Sequence, residues 1–193
     1  MDFTQLEIRQ IVSVTLILFS VIDIVGAIPV IIDLRRKSGD LHAGTATIVS
    51  GGIMIAFLYI GKSILKLFGV DVASFAIAGG LIIFLIGLEM TLGRAIFKSS
   101  PHDTKAASIV PLAFPIIAGA GTMTTILSLK AQFDEENILI GILVNLLLIY
   151  LVIRSLAWLE NKLGEAGIGI LRKIFGVILL AIAIKLFKTN LGL

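Results

Sequence analysis

The sequence predicts an all-α integral membrane protein with six transmembrane spans, arranged as two inverted three-helix repeats in which spans one and four are discontinuous. Three observations carry that expectation. Of the 193 residues, 58% are hydrophobic and only 15% charged, against roughly 25% charged in an ordinary soluble domain. The apolar residues fall in runs of about 20 separated by short charged clusters, the pattern of helices crossing a bilayer. Proline and glycine interrupt two of those runs at matching places in the two halves of the chain.

The first run begins at Ile11 and continues to Leu34, where Arg35, Arg36 and Lys37 close it. It is too long for a signal peptide, and Asp2 and Glu7 stand where a basic start would be. Span two runs from about Ala43 to Ile60, with room to extend through Lys62 and Lys66, and span three from about Val72 to Met90. A polar stretch, Thr91 to Lys105, leads to span four, Ser108 to Leu129. Ile138 to Trp158 and Ile168 to Phe187 complete the set. Each is long enough for about 30 Å of hydrocarbon. The whole chain, 1–193, reads as a single membrane domain, repeat one covering about 8–90 and repeat two about 108–187.

This composition excludes a soluble enzyme, a nucleic-acid binder and a disordered chain. The net charge of +3 needs no acidic partner, because Lys and Arg beside the spans orient a membrane protein. Ten of the sixteen Lys and Arg residues, including Arg35, Arg36, Arg94, Lys98 and Arg154, fall on the face of the first, third and fifth connections. The positive-inside rule therefore places both termini outside. With no cysteine, disulfides, thiolate metal sites and cysteine nucleophiles are absent. His42 and His102 lie in polar loops, and no zinc helix or nucleotide-binding glycine pattern occurs, so the chain reads as a non-enzyme without a cofactor.

The repeat is visible in local sequence: the segment from Gly26 to Ile32 lines up with Gly119 to Thr125, and Ile77 to Ile83 with Ile174 to Leu180. Because each half has an odd number of spans, the second enters the membrane the other way up, the arrangement used in alternating access.

Asp23 lies midway between Ile11 and Arg35, near the bilayer centre. A carboxylate there costs about 3 kcal/mol on insertion scales. Gly26 and Pro29 follow it, so the helix is expected to break from Asp23 to Ile28 and restart with Pro29 as its first residue. In span four, Pro111 and Pro115 disrupt the first half. Gly119, Ala120 and Gly121 then permit unwinding, and Thr122 can cap a second half-helix through Met123, Thr124 and Thr125. Two half-helix N-termini at the midplane would hold a carboxylate, and the preceding carbonyls with Asp23 an ammonium or small cation. Such a site fits a small zwitterion.

The candidate binding residues are therefore Asp23, Gly26, Ala27, Ile28 and Pro29 in the first break, and Gly119, Ala120, Gly121, Thr122, Met123, Thr124 and Thr125 in the second. Asn145, in span five, is at a depth from which it could reach them or bond a neighbouring helix. Ser20 is one turn before Asp23. Glu89, Arg94, Arg154 and Lys185 read as snorkelling residues at span ends, and Ser50-Gly51-Gly52, Gly79-Gly80 and Gly176 as points of close helix approach.

The segments Val21-Ile22-Asp23-Ile24-Val25-Gly26-Ala27-Ile28-Pro29 and Val110 to Thr125 resemble the two signature segments of the MarC/SnatA family of inner-membrane proteins, and Ile77-Ala78-Gly79-Gly80 resembles a third. The resemblance covers essentially the whole chain. It implies a prokaryotic cytoplasmic-membrane transporter of small neutral amino acids such as glycine and alanine, coupled to sodium or protons. Asp23, Gly26, Pro29, Gly119, Gly121, Thr124 and Thr125 match the family pattern. Ile24, Ala27 and Ala120 depart from it, standing where the family usually has Pro, Asn and Pro; the lost Asn removes a polar group beside the site.

The expected function is thus cation-coupled secondary transport of a zwitterionic amino acid in the lipid bilayer, with a sodium site near Asp23 and a homo-oligomer both compatible with it. The alternative is a channel or accessory membrane protein, or an exporter of another small metabolite.

Overall fold

The computed structural model describes residues 7–39, 41–93, 108–130 and 132–191. Helices α1 (Ile8–Ile22) and α2 (Ile24–Ser38) make span one, α3 (Ala43–Leu67) span two and α4 (Val72–Leu92) span three. Helices α5 (Ser108–Ile117) and α6 (Ala120–Leu129) make span four. Spans five and six are α7 (Glu135–Gly164) and α8 (Ala166–Leu191). They part at Gly164, whose φ of 65° interrupts the helix and suits a residue without a Cβ. Among the described residues there is no strand. Five helical stretches are long and apolar enough to cross a membrane, and α5 with α6, bent by 41° at their junction, makes a sixth. The chain is an all-α integral membrane protein with spans where hydropathy places them. Arg94, Lys98, His102 and Lys105 of the predicted polar connection lie outside the described residues.

The outward faces are apolar: Ile8, Ile48 and Leu67 are 79%, 76% and 81% exposed. In water such surface would drive association; against lipid tails it is at home. Inside, Leu18, Ile31, Met54, Leu112, Ile126 and Ile142 join spans one, two, four and five in one core. Span six lies on span three through small residues. A Cβ on Gly87 would come within 2.8 Å of the Gly176 carbonyl oxygen, and one on Gly176 within 2.8 Å of Thr91. Similarly, a Cβ on Gly79 would collide with Ala120 and one on Gly51 with Leu146, so close helix approach is the role of these glycines; a Cβ on Gly52 would meet open space.

Ion pairs tie the ends of the bundle. Arg35 and Arg36 both reach Glu160, at 3.3 and 2.7 Å, and Arg172 meets Asp33 at 3.0 Å. The first and fifth connections therefore share one end. At the other, the Glu7 N–H donates to Asn137 Oδ1 at 3.3 Å. Glu89 departs from its expected snorkelling position: it is 7% exposed, because the α4 face that carries it turns into the bundle.

Candidate functional site

The first break is a single residue wide. Asp23 adopts φ 45° and ψ 50°, the only positive φ outside glycine among the described residues, a conformation that aspartate tolerates better than most side chains. Its N–H still donates to the Phe19 carbonyl at 3.0 Å, its own carbonyl accepts from Ala27 N–H at 2.9 Å, and its Oδ1 accepts from Gly26 N–H at 3.1 Å. These bonds restart the helix at once. The expected break from Asp23 to Ile28 is therefore corrected: α2 begins at Ile24, and Pro29 sits inside it rather than at its first position. The free N–H end of α2, expected to await a ligand carboxylate, is instead occupied by the Asp23 carboxylate. The positive end of the helix dipole thus offsets part of the cost of burying that charge. A Cβ on Gly26 would overlap the Asp23 carboxylate, which sits in its present position only because glycine leaves the space.

The second break is wider. Val110 and Phe114, each preceding a proline, are extended at φ −124°, ψ 120° and φ −136°, ψ 127°, as the proline ring demands of its predecessor. The Val110–Pro111 and Phe114–Pro115 bonds are cis. Ser50 Oγ donates to Ala46 at 2.7 Å and lies 3.5 Å from the Ala113 carbonyl, in contact with the disrupted half-helix. Gly119, in the β region, is the N-cap of α6 and supplies no side-chain bond. Thr122 is not the cap: its hydroxyl donates backward to the Ile117 carbonyl at 2.9 Å, across the two non-helical residues Ala118 and Gly119 that join α5 to α6. The Thr124 hydroxyl bonds the Gly121 carbonyl at 3.0 Å. Met123 is buried and Thr125 half-buried.

Between spans one, three, four and six lies a cavity of about 60 Å³, lined by Asp23, Gly26, Ala27 and Val30 of span one, Ile83 and Ile86 of α4, Ile116 of α5, and Phe175 and Ile178 of α8, among others. Asp23 is its single charged group. Of the residues singled out in the sequence, Asp23, Gly26 and Ala27 line it; Ile28, Pro29, Gly119, Ala120, Gly121, Thr122, Met123, Thr124 and Thr125 do not. The two breaks are nonetheless neighbours, since a Cβ on Gly121 would meet Val21, a lining residue, at 3.8 Å. Asn145 is buried elsewhere and donates to the Thr15 and Gly141 carbonyls at 3.1 and 2.8 Å. Ser20 is exposed on the outer face of α1. Among the described residues no group of three or more His, Cys, Asp or Glu could hold a metal ion.

Sequence patterning does not single out Asp33 or the α4 and α8 residues of the cavity wall. Asp33 carried a signal, a second carboxylate in the same apolar run as Asp23. The isoleucines of the wall carried none, since every span is rich in them.

Comparison with known proteins gives one consistent result. A family model described as MarC family integral membrane protein matches residues 8–192. The chain is 33% identical over 188 residues to the UPF0056 membrane protein MJ1677 of Methanocaldococcus jannaschii, covering 90% of this chain and 92% of that one. It is 30% identical to the UPF0056 membrane protein YvbG of Bacillus subtilis, with 94% and 93% covered, and 29% to the UPF0056 membrane protein YhcE of Escherichia coli, with 90% and 88% covered. No solved structure matches.

Proposed function

This chain belongs to the MarC family of integral membrane proteins, and from that premise we propose that it is a secondary active transporter of small neutral amino acids, of the size of glycine and alanine, driven by a cation gradient. The observation that carries the reading is one carboxylate, Asp23, held in a left-handed break within a membrane span and lining an otherwise apolar cavity. Ionisable groups at such depth mark substrate and ion pathways.

In this reading Asp23 receives the substrate ammonium, and the coupling sodium ion or proton acts on the same carboxylate. The uncapped N-terminus of α6 lies behind the lining residue Val21, off the cavity wall, and its dipole favours the substrate carboxylate from there. Gly26 and Ala27 bound the site, and a cavity of about 60 Å³ leaves little room for a side chain. The two halves, as inverted repeats, exchange conformations so that the site opens to each side in turn. The Asp33–Arg172 pair, one helical turn beyond the lining residues Val30 and Phe175, closes it toward one face. By the Lys and Arg distribution that face is the cytoplasmic one, with both termini outside a prokaryotic cytoplasmic membrane.

Uptake of labelled glycine and alanine into proteoliposomes under imposed sodium or pH gradients tests the proposal. Saturable, gradient-dependent uptake that is lost in Asp23→Asn is the expected result. Flux that neither saturates nor responds to a gradient would instead indicate a channel.

A further inference from the structure

Spans one, three, four and six each contribute to the floor of the Asp23 cavity. Val30 of α2 and Ile86 of α4 are buried in a small hydrophobic cluster with Met90, and Ile116 of α5 and Phe175 and Leu179 of α8 pack against it. All of these except Met90 also line the cavity. Val30 follows Asp23 in the chain by two helical turns, about 10 Å along a helix axis. The cluster therefore bounds the hollow at the end away from the carboxylate, on the side of the Asp33–Arg172 pair.

Phe175 is the largest side chain of that floor and the one aromatic group among the described lining residues. Its position is fixed by its neighbour. A Cβ on Gly176 would come within 2.8 Å of Thr91 and 3.0 Å of Met90, so the backbone beside the ring is pressed against α4 and the ring cannot retreat on that side. Span one, by contrast, presents Gly26 and Ala27 next to the carboxylate. A ligand whose ammonium is held at Asp23 thus has small residues beside its charged end and an aromatic ring where its side chain would extend. Packing inside a protein is close to that of a crystal, so a side chain that reaches the ring must displace it.

We propose that Phe175 is the specificity-determining residue of this cavity, the side chain that admits glycine and alanine and turns away valine, leucine and larger neutral amino acids. This role rests on the transport reading and gives it a size limit.

Uptake of labelled glycine into proteoliposomes, with unlabelled alanine, valine and leucine as competitors, tests the assignment in the native chain, in Phe175→Ala and in Phe175→Trp. One methylene in an apolar pocket changes discrimination by about 10- to 200-fold. In Phe175→Ala, valine and leucine are therefore expected to compete at concentrations about tenfold or more below those the native chain requires, while the affinity for glycine, which has no side chain to place, stays near the native value. Phe175→Trp approaches the limit from the other side, so the test does not depend on one variant folding: glycine uptake is kept and alanine competes about tenfold less well. A change that only loosened the bundle would shift every solute together. Phe84→Ala is the control, because that ring sits 6.5 Å from the Phe187 ring and off the cavity wall, and it should leave the order of competitors unchanged. Native competition by alanine, valine and leucine in the reconstituted Phe175 variants, with saturable glycine uptake intact, overturns the assignment and leaves the transport reading standing. Absence of saturable glycine or alanine uptake by the native chain overturns both.

Discussion

The Asp33 carboxylate and the Arg172 guanidinium meet at 3.0 Å, one helical turn beyond Val30 and Phe175, which line the Asp23 cavity. The pair is partly buried, its side chains 14% and 26% exposed, and Arg172 Nε is buried without a hydrogen-bond partner. Replacing Asp33 with Asn therefore strands a cation and is expected to cost about 1–3 kcal/mol, between the exposed and buried extremes. It should also open the cavity toward that face. The chain has no native cysteine, so a single Val30→Cys reports access: an impermeant maleimide should label it several-fold faster in the Asp33→Asn background. Unchanged labelling would remove the pair from any gating role.

Gly26→Ala should be destabilising although alanine is the better helix former by roughly 1 kcal/mol, because the new methyl displaces the Asp23 carboxylate and with it the bond that caps α2 at the Gly26 N–H. Gly52→Ala, where a Cβ meets nothing within 4 Å, is the matched control and should be neutral or stabilising. Thermal melts of the two variants in detergent should move in opposite directions.

Gly79→Ala is expected to cost about 1–3 kcal/mol by overpacking against Ala120. Adding Ala120→Gly should recover most of that loss. A double-mutant cycle on melting temperature measures it, and simple additivity of the two changes would mean that the helices are not in contact there.

Asn145→Leu should lower stability by about 1 kcal/mol, the usual worth of an interhelical bond, through loss of its bonds to Thr15 and Gly141. Because it lies off the cavity wall, the KM for any transported solute should stay near the native value, whereas Asp23→Asn should abolish transport. A large rise in KM for Asn145→Leu would place its side chain at the substrate.

Asp71, in the connection before α4, caps that helix by accepting the Ser74 N–H at 2.6 Å and the Ser74 hydroxyl at 2.9 Å. The backbone bond first, and then the hydroxyl, hold its carboxyl below the ordinary carboxylate value. A depressed folded pKa means that the cap contributes fully above the unfolded pKa and is lost as pH falls through the folded one. The Ser74 amide resonance should therefore shift with a midpoint below that of a free aspartate, and be insensitive to acid in Asp71→Asn.

Much of the molecule was legible in the chain because bilayer physics is one-dimensional: a span must be apolar for its whole length, and a carboxylate or proline within it stands out. Hence the six spans, the special status of Asp23 and the interruption of span four could be read directly. The extent of each break could not. Whether α2 restarts at Ile24 or at Pro29 depends on whether Asp23 turns its carboxylate onto Gly26 N–H, and a sequence pattern does not encode that rotation. Thr122 likewise bonds backward to Ile117 or forward as a cap according to the path of the unwound chain.

The sequence by itself determined the membrane class, the positions of the spans and the family. Tertiary structure alone decided which residues share a cavity. Spans three and six line the Asp23 cavity together and cross closely at Gly87 and Gly176, and Asp33 finds Arg172 only because the last span returns beside the first. Hydropathy reports each helix's preference for lipid, and in lipid that preference says little about which helix faces which; the pairing is set by small residues and polar contacts between helices.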